Sequence, residues 1–179
     1  MKKIIFIFGP SCVGKSTIAK LLGRKFPNAL RLSADQIRGS MYHYDRSNSL
    51  HEGLRNKFFE ETLNLFLMSG LGPIICEVPR SQLGKFYKIS LTVDFAKFEA
   101  KYVSLDAPDD ILVERFNNRQ TRSKEQGFTL AVSTEDEFLE TVLEYRRLLE
   151  NIVHIPSEGV DTSQSTAEEI VERILNDMN

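Results

Sequence analysis

Residues 4–17 read Ile-Ile-Phe-Ile-Phe-Gly-Pro-Ser-Cys-Val-Gly-Lys-Ser-Thr, and no other stretch limits the possible folds as severely. An unbroken apolar run of β-favouring residues suits a strand covered on both faces, which is the condition of a central strand in a parallel sheet. Gly9 to Ser16 then satisfies G-x-x-x-x-G-K-[ST], and the chain passes at once into a helix-compatible segment, Ser16 to Phe26, that stops before Pro27. The glycines permit a tight turn in which successive N–H groups point inward. The helix behind them offers its unpaired amides and the positive end of its dipole. A loop so built wraps a polyphosphate. Gly9, Ser11, Cys12, Val13, Gly14 and Lys15 supply amides, the Lys15 ammonium reaches the β- and γ-phosphates, and the Ser16 hydroxyl is placed to hold Mg²⁺. Thr17 serves the α-phosphate or caps locally. Cys12 reads as a small residue lending its amide, with a redox role as the alternative.

The remainder of the chain repeats the strand-then-helix rhythm. Short apolar runs at Ala29–Leu32, Pro73–Val78 and Lys101–Leu105 predict three further strands, and a last one is expected between Asn151 and Val160. Helices are predicted over Ala34–Tyr42, over Leu50–Met68 with apolar spacing through Leu54, Phe58, Leu63, Phe66 and Leu67, and over Asp109–Gln120. Thr134 with Glu137 and Thr166 with Glu169 form capping-box signatures for two more. Alternating strands and helices imply a three-layer α/β/α domain with a mostly parallel five-stranded sheet and right-handed crossovers. The length of 179 residues is that of one domain, 1–179. Arg122 to Val132 lacks apolar periodicity and contains Gly127, so it reads as a mobile loop, and residues 119–133 as a small arginine-bearing lid. A net charge of −2 argues against an extended nucleic-acid or membrane face. Two cysteines without a CxxC pattern, and only five apolar residues before Gly9, point to a reduced, cytoplasmic setting.

Three further clusters carry possible chemistry. In Arg31–Tyr42, "RLSADQIRGSMY", Asp35 follows the second strand and shares a helical face with Arg38. A carboxylate there can take a proton from an acceptor hydroxyl while a guanidinium orients an anionic substrate. Equally, Asp35 can be the helix N-cap and Arg38 a solvated charge. Glu77 ends the third strand, where a substrate-binding acid or an outer magnesium ligand would sit. Arg80 is either a phosphate contact or part of a solvated strand exit. In "VERFNNRQTRSK", Arg115, Arg119 and Arg122 form a stripe that either closes over donor phosphates or makes a salt-bridged surface with Glu114 and nearby acids.

"GPSCVGKST" followed by "LSADQIR" resembles the small P-loop kinases related to polynucleotide 5′-hydroxyl kinase, the zeta-toxin-like kinases and the antibiotic phosphotransferases. The resemblance covers Met1 to about Tyr42. It implies that Asp35 acts on the acceptor hydroxyl and that Arg38 is the substrate-orienting arginine of a D-x-x-R pattern. Glu77–Ser81, "EVPRS", also resembles the DGFPR turn of adenylate kinases, with Cys76 and Glu77 standing where that pattern has Asp and Gly. The arginine stripe is similar to the lid entrance of small kinases. A guanine-reading N-K-x-D is absent, since Asn56-Lys57 continues into Phe58-Phe59, and no strand ends in the Asp-Glu pair of motor ATPases. The expectation is an ATP- and Mg²⁺-dependent kinase acting on a hydroxyl of a small molecule, nucleoside or nucleic-acid end. Catalysis then falls to Lys15, Asp35, Arg38 and Arg119, donor binding to the loop with Arg115, Arg119 and Arg122, and acceptor binding to Asp35, Arg38, Glu77 and Arg80. A nucleoside monophosphate kinase and a nucleotide-binding switch protein are the alternatives.

Overall fold

The computed structural model describes residues 2–83, 98–125, 132–152 and 158–178. Its strands are β1 (Lys2–Phe8), β2 (Leu30–Leu32), β3 (Ile74–Glu77), β4 (Phe98–Asp106) and β5 (Glu158–Asp161). They form one sheet in the order β2-β3-β1-β4-β5, and every pairing is parallel. The described helices include α1 (Lys15–Lys25), α2 (Ala34–Gly39), α3 (Ser49–Ser69), α4 (Asp109–Glu125), α5 (Glu135–Glu150) and α6 (Ala167–Asn176).

β1 shows why its sequence is apolar throughout. Ile5 and Ile7 face a core of Ile18, Ala19 and Leu22 from α1 with Ile170, Val171 and Ile174 from α6. Ile4, Phe6 and Phe8 alternate to the opposite face, against Phe59, Leu63 and Leu67 of α3. Neither face meets water, and each such side chain contributes about 1.5–3 kcal/mol of burial. Both predicted capping boxes form: Thr134 opens α5 and Thr166 opens α6.

The structure corrects several expectations. The inward face of α3 is Arg55, Phe59, Leu63 and Leu67, whereas Leu54 and Phe58 are 52% and 61% exposed. An arginine occupies a core-facing turn of that helix, which apolar counting passes over. Helix α4 runs on to Glu125, so Arg122–Glu125 is helical and not loop. Polar i,i+4 contacts such as Thr121 Oγ1 to the Asn117 carbonyl continue it without an apolar stripe. Gly127 and most of the expected lid lie outside the described residues. Among those residues no helix is long and apolar enough to cross a membrane.

The strand order places the C-terminal ends of β1 and β3 side by side, with β2 next to β3. The chain leaves β1 for β2 on one side and later crosses to β4 on the other. This is the reversal point at which open parallel sheets form their crevice.

Candidate functional site

The loop between β1 and α1 lies over that crevice. Gly9 has φ +143°, and a Cβ there would lie 2.5 Å from the Leu105 carbonyl oxygen and 2.7 Å from Val13 Cγ1. Only glycine fits so close to β4. Gly14, at φ +104°, caps α1, while Cys12 takes a left-handed turn at φ 65°. The Gly9 amide donates to the Tyr145 hydroxyl at 2.8 Å, a buried bond that ties the loop to α5. Lys15 Nζ donates to the Gly9 and Pro10 carbonyls, both at 2.6 Å, and lies 5.8 Å from the Tyr145 ring centroid. Desolvation lowers the Lys15 pKa to about 8, against the attraction of Glu77 and Asp35.

Glu77 is 5% exposed and occupied on both oxygens. Ser16 Oγ donates to Oε2 at 2.6 Å, and Arg31 Nε donates to Oε1 at 2.8 Å. Arg31 comes from β2, so its guanidinium is paired with the carboxylate that accepts from the Ser16 hydroxyl. Oxygen donors paired in this manner suit Mg²⁺, which needs few protein ligands when phosphate and water supply the rest.

Asp35 is not the N-cap of α2. Ser33 is, accepting the Gln36 amide at 3.2 Å, and Asp35 occupies the first turn with 55% of its side chain exposed. Nor is Arg38 a solvated charge: its Nη1 donates to Asp35 Oδ1 at 2.6 Å and its Nη2 lies 3.4 Å from Glu52 Oε1. Burial pushes the Asp35 carboxyl up. Arg38, by charge and hydrogen bond, with Arg119 and Arg46 behind it, outweighs burial and holds Asp35 below the usual carboxylate range. Glu52 also accepts from the Tyr44 hydroxyl and from Arg55, whose side chain is 2% exposed and reaches Ser81 Oγ at 3.1 Å. Tyr44 therefore packs on its own domain, 5.9 Å from the Arg38 guanidinium carbon, while Tyr42 is exposed.

Two cavities open from the loop. One, of about 670 Å³, is lined by Ser11 to Ile18 with Arg115, Asn118, Arg119, Arg122, Thr162 and Ser165. The other, of about 310 Å³, lies between α2, α3 and α5 and is lined by Ser33, Arg38, Arg46, Glu52, Arg55, Arg80, Ser81 and Tyr145 among others. Ser11, Cys12, Lys15, Asp35, Glu77 and Arg119 line both. Of the arginine stripe, Arg119 and Arg122 point no ion pair at any described residue. Arg115 is committed to Thr162, donating to its Oγ1 and carbonyl at 2.8 Å each. Arg80 pairs with Glu144 at 2.6 Å on the rim. Sequence reasoning missed Arg46, Glu52, Arg55, Ser81 and Tyr145. The i,i+3 spacing of Glu52 and Arg55, four residues before buried Phe59, was the signal available for two of them.

A sequence model of the AAA domain family matches residues 5–141, and the chain belongs to that family. Its fold is the α/β fold of the P-loop kinases. Shikimate kinase from Acinetobacter baumannii superposes with a TM-score of 0.66 at 16% identity, over 99% of this chain and 93% of that one. Deoxyadenosine kinase from M. mycoides, with bound dCTP, gives 0.60 at 18% identity over 98% of each chain. A chain of the Pnkp1/Rnl/Hen1 RNA repair complex gives 0.67 at 19% identity over 84% of this chain; there the match spans only 46% of the other chain. Likeness at these identities is one of fold. No curated protein sequence matches the chain.

Proposed function

We propose that the protein is a phosphotransferase that moves the γ-phosphoryl group of ATP to a hydroxyl acceptor. The observation that carries this reading is the meeting of two cavities at Lys15, Asp35, Glu77 and Arg119. A donor in the larger cavity and an acceptor in the smaller would face each other across those side chains.

The loop amides and Lys15 bind the donor phosphates, and Arg122 with Asn118 borders its outer part. The Asp35 carboxylate accepts the acceptor hydroxyl's proton as that oxygen bonds to the γ-phosphorus. The bond from phosphorus to the β–γ bridging oxygen breaks, and the electron pair leaves with ADP. Charge that grows on the phosphoryl oxygens is met by the Lys15 ammonium and by Arg119. Arg38 holds Asp35 ionised and orients it. Ser16, with Glu77 beside it, would hold Mg²⁺, which would supply neutralising charge to the donor phosphates.

The test is ADP release from magnesium-ATP in the presence of a panel of alcohols, nucleosides, oligonucleotide ends and nucleoside monophosphates. Stimulation by a hydroxyl acceptor supports the reading. Preference for monophosphates would make it a nucleoside monophosphate kinase. Donor binding without stimulation by any compound would leave a nucleotide-binding switch.

A further inference from the structure

The smaller cavity holds more positive charge than its own acids answer. Arg38, Arg46, Arg55 and Arg119 line it, while the carboxylates turned towards them are Asp35 and Glu52. Glu77 is already matched by Arg31. Arg55 is the sharpest case. Its side chain is 2% exposed and its Nε has no hydrogen-bond partner among the described residues; the Nε of Arg38 is in the same condition. Buried guanidinium donors without acceptors are costly and rare. Arg46 makes no ion pair with a described residue. Desolvation and the like charge of Arg38, with Arg119 behind it, lower its pKa even though Asp35 and Glu52 pull the other way. Cations have been brought together at an energetic cost that Asp35 and Glu52 offset only in part.

We propose that the acceptor carries a second group, a phosphate or carboxylate distinct from the hydroxyl that reacts, and that this oxyanion is held by Arg38, Arg46 and Arg55. The inference rests on the kinase reading above. A guanidinium fork matches the planar or tetrahedral oxygens of such a group. The donor's own phosphates do not fill this role, because Arg38, Arg46 and Arg55 border only the smaller cavity. Fold maintenance accounts for part of Arg55, through Glu52 and Ser81, but not for Arg46, which sits on an exposed loop position outside that network. Anchoring one end of the acceptor on the arginines leaves the other end beside Asp35.

The experiment loads the full chain with magnesium and an unreactive ATP analogue, then titrates inorganic phosphate and, separately, acetate at constant ionic strength by calorimetry. Wild type is expected to take up at least one of the two, and which one it prefers identifies the group. Arg46→Gln is expected to weaken that uptake about tenfold or more while binding the analogue normally. In parallel, acceptor alcohols are compared with their phosphorylated or carboxylated counterparts, and only the charged members should stimulate ADP release. Analogue uptake with no response to either anion, equal affinity in Arg46→Gln, or preference for uncharged alcohols would each overturn the inference alone. Failure to bind the analogue would overturn the kinase reading and the inference with it.

Discussion

The two cavities on either side of Lys15 are made by different means. The larger is bordered by the main chain of consecutive residues folded into one turn and the start of α1, with Arg115, Arg119 and Arg122 of α4 also lining it. The smaller is assembled from side chains brought by α2, the loop carrying Arg46, α3, the exit of β3 and α5. Apart from proline, every residue brings the same main-chain N–H, so a site made of amides is tied to glycine positions and to a strand-helix junction. A site of guanidinium and carboxylate groups can be retuned residue by residue without touching the fold. The contrast suggests a fixed donor and a variable acceptor, which is how one scaffold comes to serve different substrates.

Asp35→Asn tests whether the cavities differ in role as well as in construction. Transfer should fall by roughly 10²–10⁴-fold, the range of a lost general base, with donor affinity kept. Single-turnover kinetics and analogue calorimetry separate the two quantities. Equal loss of both would place Asp35 with the donor and break the division. Lys15→Ala attacks the shared wall. It should cost roughly 10²–10³-fold in kcat through lost charge stabilisation and weaken the donor as well, leaving phosphate uptake by the arginine side in place. If the anion response vanished too, the cavities would have to be treated as one.

The same contrast explains what could be read from the sequence. The loop was legible because its function depends on local geometry: Gly9 needs room against Leu105, Gly14 needs φ +104°, and both needs leave a mark within eight residues. β1 was legible because both of its faces are buried. The side-chain cavity was only partly so. Asp35 and Arg38 announced themselves by their spacing, but Ser33 took the cap that spacing alone could not deny to Asp35. Arg55 was missed because its neighbours Leu54 and Phe58 carry an apolar pattern on the wrong face of α3. Tyr145 lies 136 positions from the Gly9 amide it accepts from, and no local pattern spans that distance. Arg115 shares a stripe with Arg119 and Arg122 in the sequence, yet the pairing with Thr162 that engages it is set by how α4 meets the turn after β5.

Tyr145 is the residue that joins the two constructions. Its ring and hydroxyl border the side-chain cavity, while the hydroxyl accepts from the backbone loop. Tyr145→Phe leaves the Gly9 amide without its acceptor, at a cost of about 1–3 kcal/mol in urea unfolding. Burial keeps the phenol protonated by raising its pKa, so the loss should not depend on pH across the neutral range. Donor affinity should weaken with the loosened loop. Unchanged stability would mean that the amide finds another partner, and that the loop holds its shape independently of α5.

The smallest effect concerns Lys15 and carries opposite signs in the free and bound protein. Desolvation brings its pKa down from 10.5 to about 8, so in the free protein the ammonium begins to lose its proton near pH 8. Polyphosphate favours the charged form, so donor binding above that point must take up a proton. Affinity should then fall by at most about tenfold per pH unit above pH 8. For the nucleotide-free fold the sign reverses. Between pH 8 and 10.5 the unfolded chain binds more protons at this lysine than the folded one does, so its contribution to stability grows as pH rises. Asp35, held below its ordinary range by Arg38, stays ionised throughout and adds nothing to either trend. Calorimetry of the analogue in buffers of different ionisation heat reads the proton uptake directly. Affinity independent of pH between 7.5 and 9.5 would mean that Lys15 keeps its full charge in the free loop, and that the carbonyls of Gly9 and Pro10 hold it as an ammonium before any phosphate arrives.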